Sequence, residues 1–209
     1  MDRIGSVENL LYSCRIGFDD GSSLTVRKVD VRQFRLEPGT DVDKENLYQR
    51  LCLAQSKDGY EAALNILDRS ARTEKEIRNK LHLKGYLPEV TDAVCERLRD
   101  ARLIDDRYIA ERLTSSMIAG GKGRYAVMRK LRSRGISSED SAEALSEIDE
   151  EEQKTEAHRQ AQKLARKYEG IEPRERKAKL SQALSRRGFS WDSIEYALDQ
   201  LENESGTEN

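Results

Sequence analysis

Apolar and polar positions alternate only near the start of the chain. The segment LLYSCRIGF (10–18) is apolar with partial alternation, Asp19-Asp20-Gly21 follows, and SSLTVRKV (22–29) resumes the pattern. This predicts strand, turn, strand, with Asp-Gly as the hairpin signal. Pro38-Gly39 marks a further break, and from about Asp43 onward the apolar spacing becomes helical.

An internal repeat organises the helical part. Gly85, Gly135 and Gly188 each follow a basic residue (Lys84, Arg134, Arg187) and precede a large apolar one (Tyr86, Ile136, Phe189). Four positions before each glycine stands Leu81, Leu131 or Leu184, and eight before stands Ile77, Val127 or Leu180. Ten positions after come Cys95, Leu145 and Leu198, and thirteen after come Leu98, Ile148 and Leu201. Matches at so many offsets in three copies define a tandem array. The glycine is expected to end one helix in the left-handed conformation, with the apolar residue tucked beneath. The next helix should start at Pro88, at Ser137 with Asp140, and at Ser190 with Ser193. A helix before each pair completes a unit. These are expected at about 61–69 (closed before the Thr73–Glu76 capping box), from Asp105-Asp106 to Gly120-Gly121, and at about 150–168. No unit has much core of its own, so mutual packing or a partner surface is expected to help stabilise it.

The expected fold is therefore mainly all-α, with three tandem three-helix repeats forming an elongated arch behind a small N-terminal β-hairpin region. The expected division is an N-terminal extension with hairpin and helix (1–59), repeats at 60–102, 103–149 and 150–203, and a disordered tail (204–209).

Composition supports an extended helical chain over one large enzyme core. Counting glycine and leaving out tyrosine, the apolar share is about 38%, against about 45–50% in typical globular domains. Charged residues make up 36% of the 209 residues, yet the net charge is only −2. No apolar run is long enough for a membrane span, and MDRIGSVENLLYSC lacks a signal-peptide pattern. Cys14, Cys52 and Cys95 are odd in number and far apart, which points to a reducing, cytoplasmic setting rather than disulfides or zinc. His82 and His158 are expected to be surface residues. The absence of a long heptad seam favours a monomer.

Near-neutrality conceals sorted charge. From Thr114 to Ser138 there are six bases and no acid: Lys122, Arg124, Arg129, Lys130, Arg132 and Arg134. Residues 139–156 carry nine acids and one base, residues 158–187 carry ten bases (Arg186 and Arg187 among them) and three acids, and residues 192–209 carry six acids and no base. The basic helices can be solvated faces, or an electrostatic footprint for phosphate or an acidic protein surface. The acid-free run favours the footprint. Aromatics are too sparse for a single-strand stacking platform; Tyr125 interleaves with the bases, while Phe189 and Trp191 read as core of the third unit. No catalytic constellation stands out, and Gly120-Gly121-Lys122-Gly123 lacks the context of a phosphate loop. Asp105-Asp106 reads as a helix cap rather than a metal pair. No cofactor, metal or small-molecule substrate is expected.

In order, ALNILDRSARTEKEIRNKLHLKGY (63–86), RLIDDRYIAERL (102–113), GRYAVMRKLRSRGI (123–136) and LSQALSRRGFSWDSIEYAL (180–198) resemble the RecX family over roughly residues 60–201. The resemblance implies a cytoplasmic, non-enzymatic, three-repeat modulator that binds the filament of the RecA recombinase on DNA. Such proteins most often inhibit its ATP hydrolysis and strand exchange in recombination and repair. The family motif residues are structural: the glycines, the leucines and Asp105-Asp106. Binding residues therefore come from charge, namely Lys122, Arg124, Arg129, Lys130, Arg132, Arg134, Arg186 and Arg187, with the RecA filament and single- or double-stranded DNA as expected partners. Ser70-Ala71-Arg72 departs from the commoner Arg-Pro/Tyr-Arg, and the acidic tail is individual. The competing reading is a free-standing tandem helix-turn-helix DNA-binding protein, although no helix concentrates Asn, Gln and Arg on a reading face.

Overall fold

The computed structural model describes residues 1–207. Its N-terminal part is a four-stranded antiparallel sheet in the order β3-β2-β1-β4, with β1 Asp2–Asn9, β2 Ser13–Phe18, β3 Ser23–Arg27 and β4 Asp41–Val42. The expected hairpin is β2–β3, in the register Cys14↔Val26 and Ile16↔Leu24. Gly21 takes φ +83° at its turn. Two features differ from the sequence reading. Leu10-Leu11-Tyr12 is not strand but the tight β1–β2 turn, closed by the Leu10 N–H donating to the Ser13 carbonyl at 3.0 Å. Strand β1 was hidden because its only fully buried residue is Ile4.

Helices α1 (Lys28–Gln33) and α2 (Lys44–Ser56) follow the sheet. Then come three sets of three: α3 Gly59–Leu67, α4 Glu74–Leu83 and α5 Pro88–Asp100; α6 Asp106–Ala119, α7 Arg124–Arg134 and α8 Ser138–Ser146; α9 Glu150–Ala165, α10 Pro173–Arg187 and α11 Trp191–Thr207. A single 3-10 turn, Arg166–Tyr168, extends α9. Helix α11 runs through the first residues of the expected tail, and 208–209 lie outside the described residues.

The repeat glycines behave as their spacing predicts. Gly85, Gly135 and Gly188 have φ of +89°, +81° and +90°. In each copy the glycine N–H bonds three residues back, and the following N–H reaches the repeat leucine carbonyl: Tyr86 to Leu81 at 3.1 Å, Ile136 to Leu131 at 3.2 Å and Phe189 to Leu184 at 3.3 Å. That pair of bonds is a Schellman ending. Leu81, Leu131 and Leu184 are fully buried. The predicted starts also form: the Thr73 and Glu76 side chains cap reciprocally, Ser137 Oγ accepts from Asp140 N at 3.0 Å, and Ser190 Oγ accepts from Ser193 N at 3.2 Å.

The chain packs as two compact units, Met1–Asp105 and the part from Asp106 onward. In the first, the sheet and α2 share one core with α3–α5: Ile4, Ile16 and Val26 join Leu51, Ile77, Leu81 and Leu98. A buried polar network reinforces this junction. Arg27 Nε donates to Asp30 Oδ2 at 2.9 Å, and Arg27 Nη1 donates to Asp58 at 2.5 Å. Gln55 Nε2 donates to Asp30 at 2.8 Å and to the Gly85 carbonyl at 3.1 Å, while its Oε1 accepts from Leu87 N at 2.7 Å. In the second unit, repeats two and three have separate clusters, centred on Val127, Leu131 and Leu145 and on Leu180, Leu184 and Phe189.

Candidate functional site

Helix α7 carries most of the predicted basic residues, and its framing follows from two glycines. Gly123 precedes its first turn, and Gly188 ends α10. The Gly123 N–H donates to the Arg187 carbonyl and the Tyr125 N–H donates to the Gly188 carbonyl, both at 3.0 Å. The Arg124 N–H donates to Gln153 Oε1 at 3.1 Å. Orphan donors of the α7 N-terminus thus meet carbonyls at the end of α10, positive pole to negative pole. The approach needs both glycines. A Cβ on Gly123 would lie 2.3 Å from Gly188 backbone atoms, and one on Gly188 would lie 2.3 Å from Ala126 N.

This docking joins what the sequence holds far apart. Lys122 and Arg124 are brought beside Arg186 and Arg187. Arg129, Lys130, Arg132 and Arg134 continue along α7. Val127 and Leu131 fill the core side of the helix. On the opposite side Tyr125, Met128, Arg129 and Arg132 form one exposed stripe at helical spacing. Tyr125 is 48% and Met128 41% exposed, so the face is mixed aromatic, apolar and basic. Met128 escaped the sequence reading; its spacing of three from Tyr125 and four from Arg132 was the available signal. Among the described residues, Lys122, Arg129, Lys130 and Arg132 have no ion-pair partner.

Not every predicted base is equally available. Arg124 Nη1 donates to the Leu145 carbonyl at 2.7 Å, which ties it to the end of α8. Arg186 donates to Gln182 at 2.5 Å within α10. Asp105 and Asp106 stand at the start of α6, where the cap was expected. Two other residues depart from expectation. Trp191, read as core, is 68% exposed, because it is the first residue of α11 and Phe189 fills the core in its place. His158, read as a surface residue, is half-buried between α9 and α11, with Nε2 3.0 Å from Glu204 Oε1.

Among the described residues no group of three or more His, Cys, Asp or Glu could hold a metal. The cysteines are free, and burial pushes the Cys95 thiol up to about 11, away from nucleophilic use. Among the described residues no helix is long and apolar enough to cross a membrane.

Comparison with known proteins follows the same three-unit division. The models of the first, second and third three-helix domains of RecX match residues 60–98, 105–145 and 150–198. The chain belongs to the RecX family. Among its relatives, regulatory protein RecX of Bacillus subtilis (strain 168) is 31% identical over 191 residues, covering 91% of this chain and 72% of the relative. Regulatory protein RecX of Streptococcus sanguinis (strain SK36) is 31% identical over 209 residues, covering 99% and 80%. The crystal structure of a regulatory protein RecX superposes with a TM-score of 0.66 at 29% identity, covering 95% of this chain and all of the other. That of RecX from Lactobacillus salivarius gives 0.65 at 29% identity, covering 72% and 98%. RecX relatives are thus named as regulators, and their fold is the fold described above.

Proposed function

We propose that the protein binds the RecA–DNA filament and lowers its ATP hydrolysis and strand exchange, as a cytoplasmic monomer that catalyses no reaction itself. The observation that carries the reading is the α7 face: Tyr125, Met128, Arg129 and Arg132 in one exposed stripe, with Lys122 just before the helix and Lys130 exposed on its other flank. Unpaired bases supply long-range attraction to a polyanion, and the exposed Tyr and Met supply short-range contact. Membership of a family of regulators supports the reading. Three linked helical units allow several modest contacts to act together through effective concentration.

The test is RecA's single-stranded-DNA-dependent ATP hydrolysis, followed while this protein is titrated below one per RecA subunit. Hydrolysis should fall at low ratios. The variant Lys122→Glu/Arg129→Glu/Lys130→Glu/Arg132→Glu leaves the Arg124–Leu145 bond intact and should keep native helicity. It should need about tenfold more protein for the same effect, equivalent to about 1.4 kcal/mol. If those bases meet phosphates of the single strand, the slope of log affinity against log salt should also flatten by about 0.7 for each phosphate no longer neutralised. An unchanged titration with native helicity overturns the assignment of this face. No effect of the wild-type protein on RecA, with tight binding to naked duplex, transfers the protein to the free-standing DNA-binding class.

A further inference from the structure

The first unit carries an exposed surface that the α7 face does not use. Leu11 and Tyr12, at the β1–β2 turn, are 78% and 60% exposed, and Leu83, at the end of α4, is 61% exposed. Two grooves meet at Tyr12 and Leu83. One runs past Leu10, Leu11 and Thr25 of the edge strand β3, and the other is lined by Ile66, Arg69, Arg72, Lys80 and Lys84. Three large apolar side chains left in water at one place mark an interaction surface rather than scattered exposure. The bases give it a sign. Arg69, Arg72, Lys80 and Lys84 have no ion-pair partner among the described residues. Arg72 also has a buried Nε–H with no hydrogen-bond acceptor. A buried donor without an acceptor is unfavourable, and a shift of the Arg72 side chain on docking would let a partner's carboxylate satisfy it.

We infer that this surface docks an acidic segment of a protein partner through one apolar side chain seated against Leu11, Tyr12 and Leu83, with its carboxylates on Arg69, Arg72, Lys80 and Lys84. Charge complementarity requires the acids. The apolar centre selects protein over nucleic acid: leucine side chains neither pair with phosphate nor stack on bases, and the rings of Tyr12 and His82 are too few for a run of stacked bases. An apolar anchor within a polar rim is the usual anatomy of a protein interface, and arginine is enriched there. The surface belongs to the first unit and shares no residue with the α7 face, so its test does not depend on RecA.

The experiment is a nuclear magnetic resonance titration of the ¹⁵N-labelled full chain with three probes: the synthetic peptide DEDLFEDE, its uncharged counterpart NQNLFQNQ, and oligo(dT). The acidic peptide should move the amides of Leu11, Tyr12 and Leu83 and the Arg72 Nε–H in a saturable way, and the uncharged peptide should bind about tenfold more weakly. Leu83→Ser and Arg72→Gln, with native spectra elsewhere, should each weaken the acidic peptide several-fold. Equal binding of both peptides, or no effect of either variant, overturns the proposal. Movement of the same resonances by oligo(dT) makes the surface a nucleic-acid site and overturns it too. No movement by any probe also overturns it.

Discussion

Replacing Gly188 with alanine separates two demands that the repeat glycine meets at once. At φ +90° any L-residue pays for the left-handed geometry, about 1–2 kcal/mol. Alanine recovers about 0.4–1 kcal/mol by restricting the unfolded chain. Those terms alone leave a net cost of about 1 kcal/mol. The added Cβ would also stand 2.3 Å from Ala126 N and 2.5 Å from Ala126 Cβ, distances that real Cβ atoms do not show. Helix α7 must then retreat, and the bonds from Gly123 N to the Arg187 carbonyl and from Tyr125 N to the Gly188 carbonyl, both 3.0 Å, are stretched or broken. Each contributes about 1 kcal/mol net. Gly188→Ala should therefore destabilise by about 3 kcal/mol.

Gly170→Ala supplies the control. Gly170 has φ +77°, but nothing lies within 4 Å of its would-be Cβ. It should cost only the conformational share, about 1 kcal/mol. Urea unfolding followed by circular dichroism gives both values, and amide exchange at Tyr125 reports the broken bond directly. Equal destabilisation by the two substitutions, with Tyr125 protected in both, would refute the claim that Gly188 exists to admit the α7 backbone.

Two further substitutions probe the first unit. Arg27→Met leaves the fully buried Asp30 without its counter-charge; breaking such a pair should cost about 3–5 kcal/mol in urea unfolding, and a loss below about 1 kcal/mol would contradict the network's structural role. Asp20→Asn tests the contact between the hairpin turn and α2, where Lys44 Nζ lies 2.5 Å from the carboxylate and, with the Ser22 side chain, holds it below its ordinary value of 3.8. A carboxyl whose pKa is lowered by folding stabilises above the ordinary value, and the effect is lost as pH falls through the folded one. The Tm gap between wild type and Asp20→Asn should therefore be present at pH 7 and shrink below about pH 4; a gap of constant size would count against the contact.

What could be read in the chain was whatever has a local period. The nine repeat helices, their Ser and Thr caps and their glycine endings all arise from contacts within a few residues, so spacing alone exposes them. The β2–β3 hairpin is local too. Strand β1 was not legible because its pairing to β2 and β4 leaves most of its side chains in or near solvent. Trp191 misled because size and apolarity suggested core, whereas its place at the first residue of α11 puts it outside. The candidate face was half legible. Charge marked α7 and the end of α10, but nothing in the composition shows that Gly123 docks on Gly188, since that contact is made by backbone across 65 residues.

The repeat glycines also show why helix ending is not the whole reason for glycine here. Helices α1 and α5 end with Arg35 and Arg102 in the same left-handed region, at φ 50° and 54°. They make the same returning bond, Leu36 N to the Val31 carbonyl and Leu103 N to the Leu98 carbonyl, both 2.9 Å. This chain therefore tolerates a side chain at a Schellman position. At Gly85 and Gly188 it does not, because a neighbouring backbone lies where the Cβ would be: Val26 C and O at 2.3 Å from the first, Ala126 N at 2.3 Å from the second. In both repeats the end of the second helix is the seat for an earlier segment of chain, β3 in one case and the start of α7 in the other. The glycine is retained for the seat, and the left-handed turn comes with it. By the same logic the basic face of α7 is positioned by an uncharged contact at its N-terminus, so its geometry persists when its surface charges are changed.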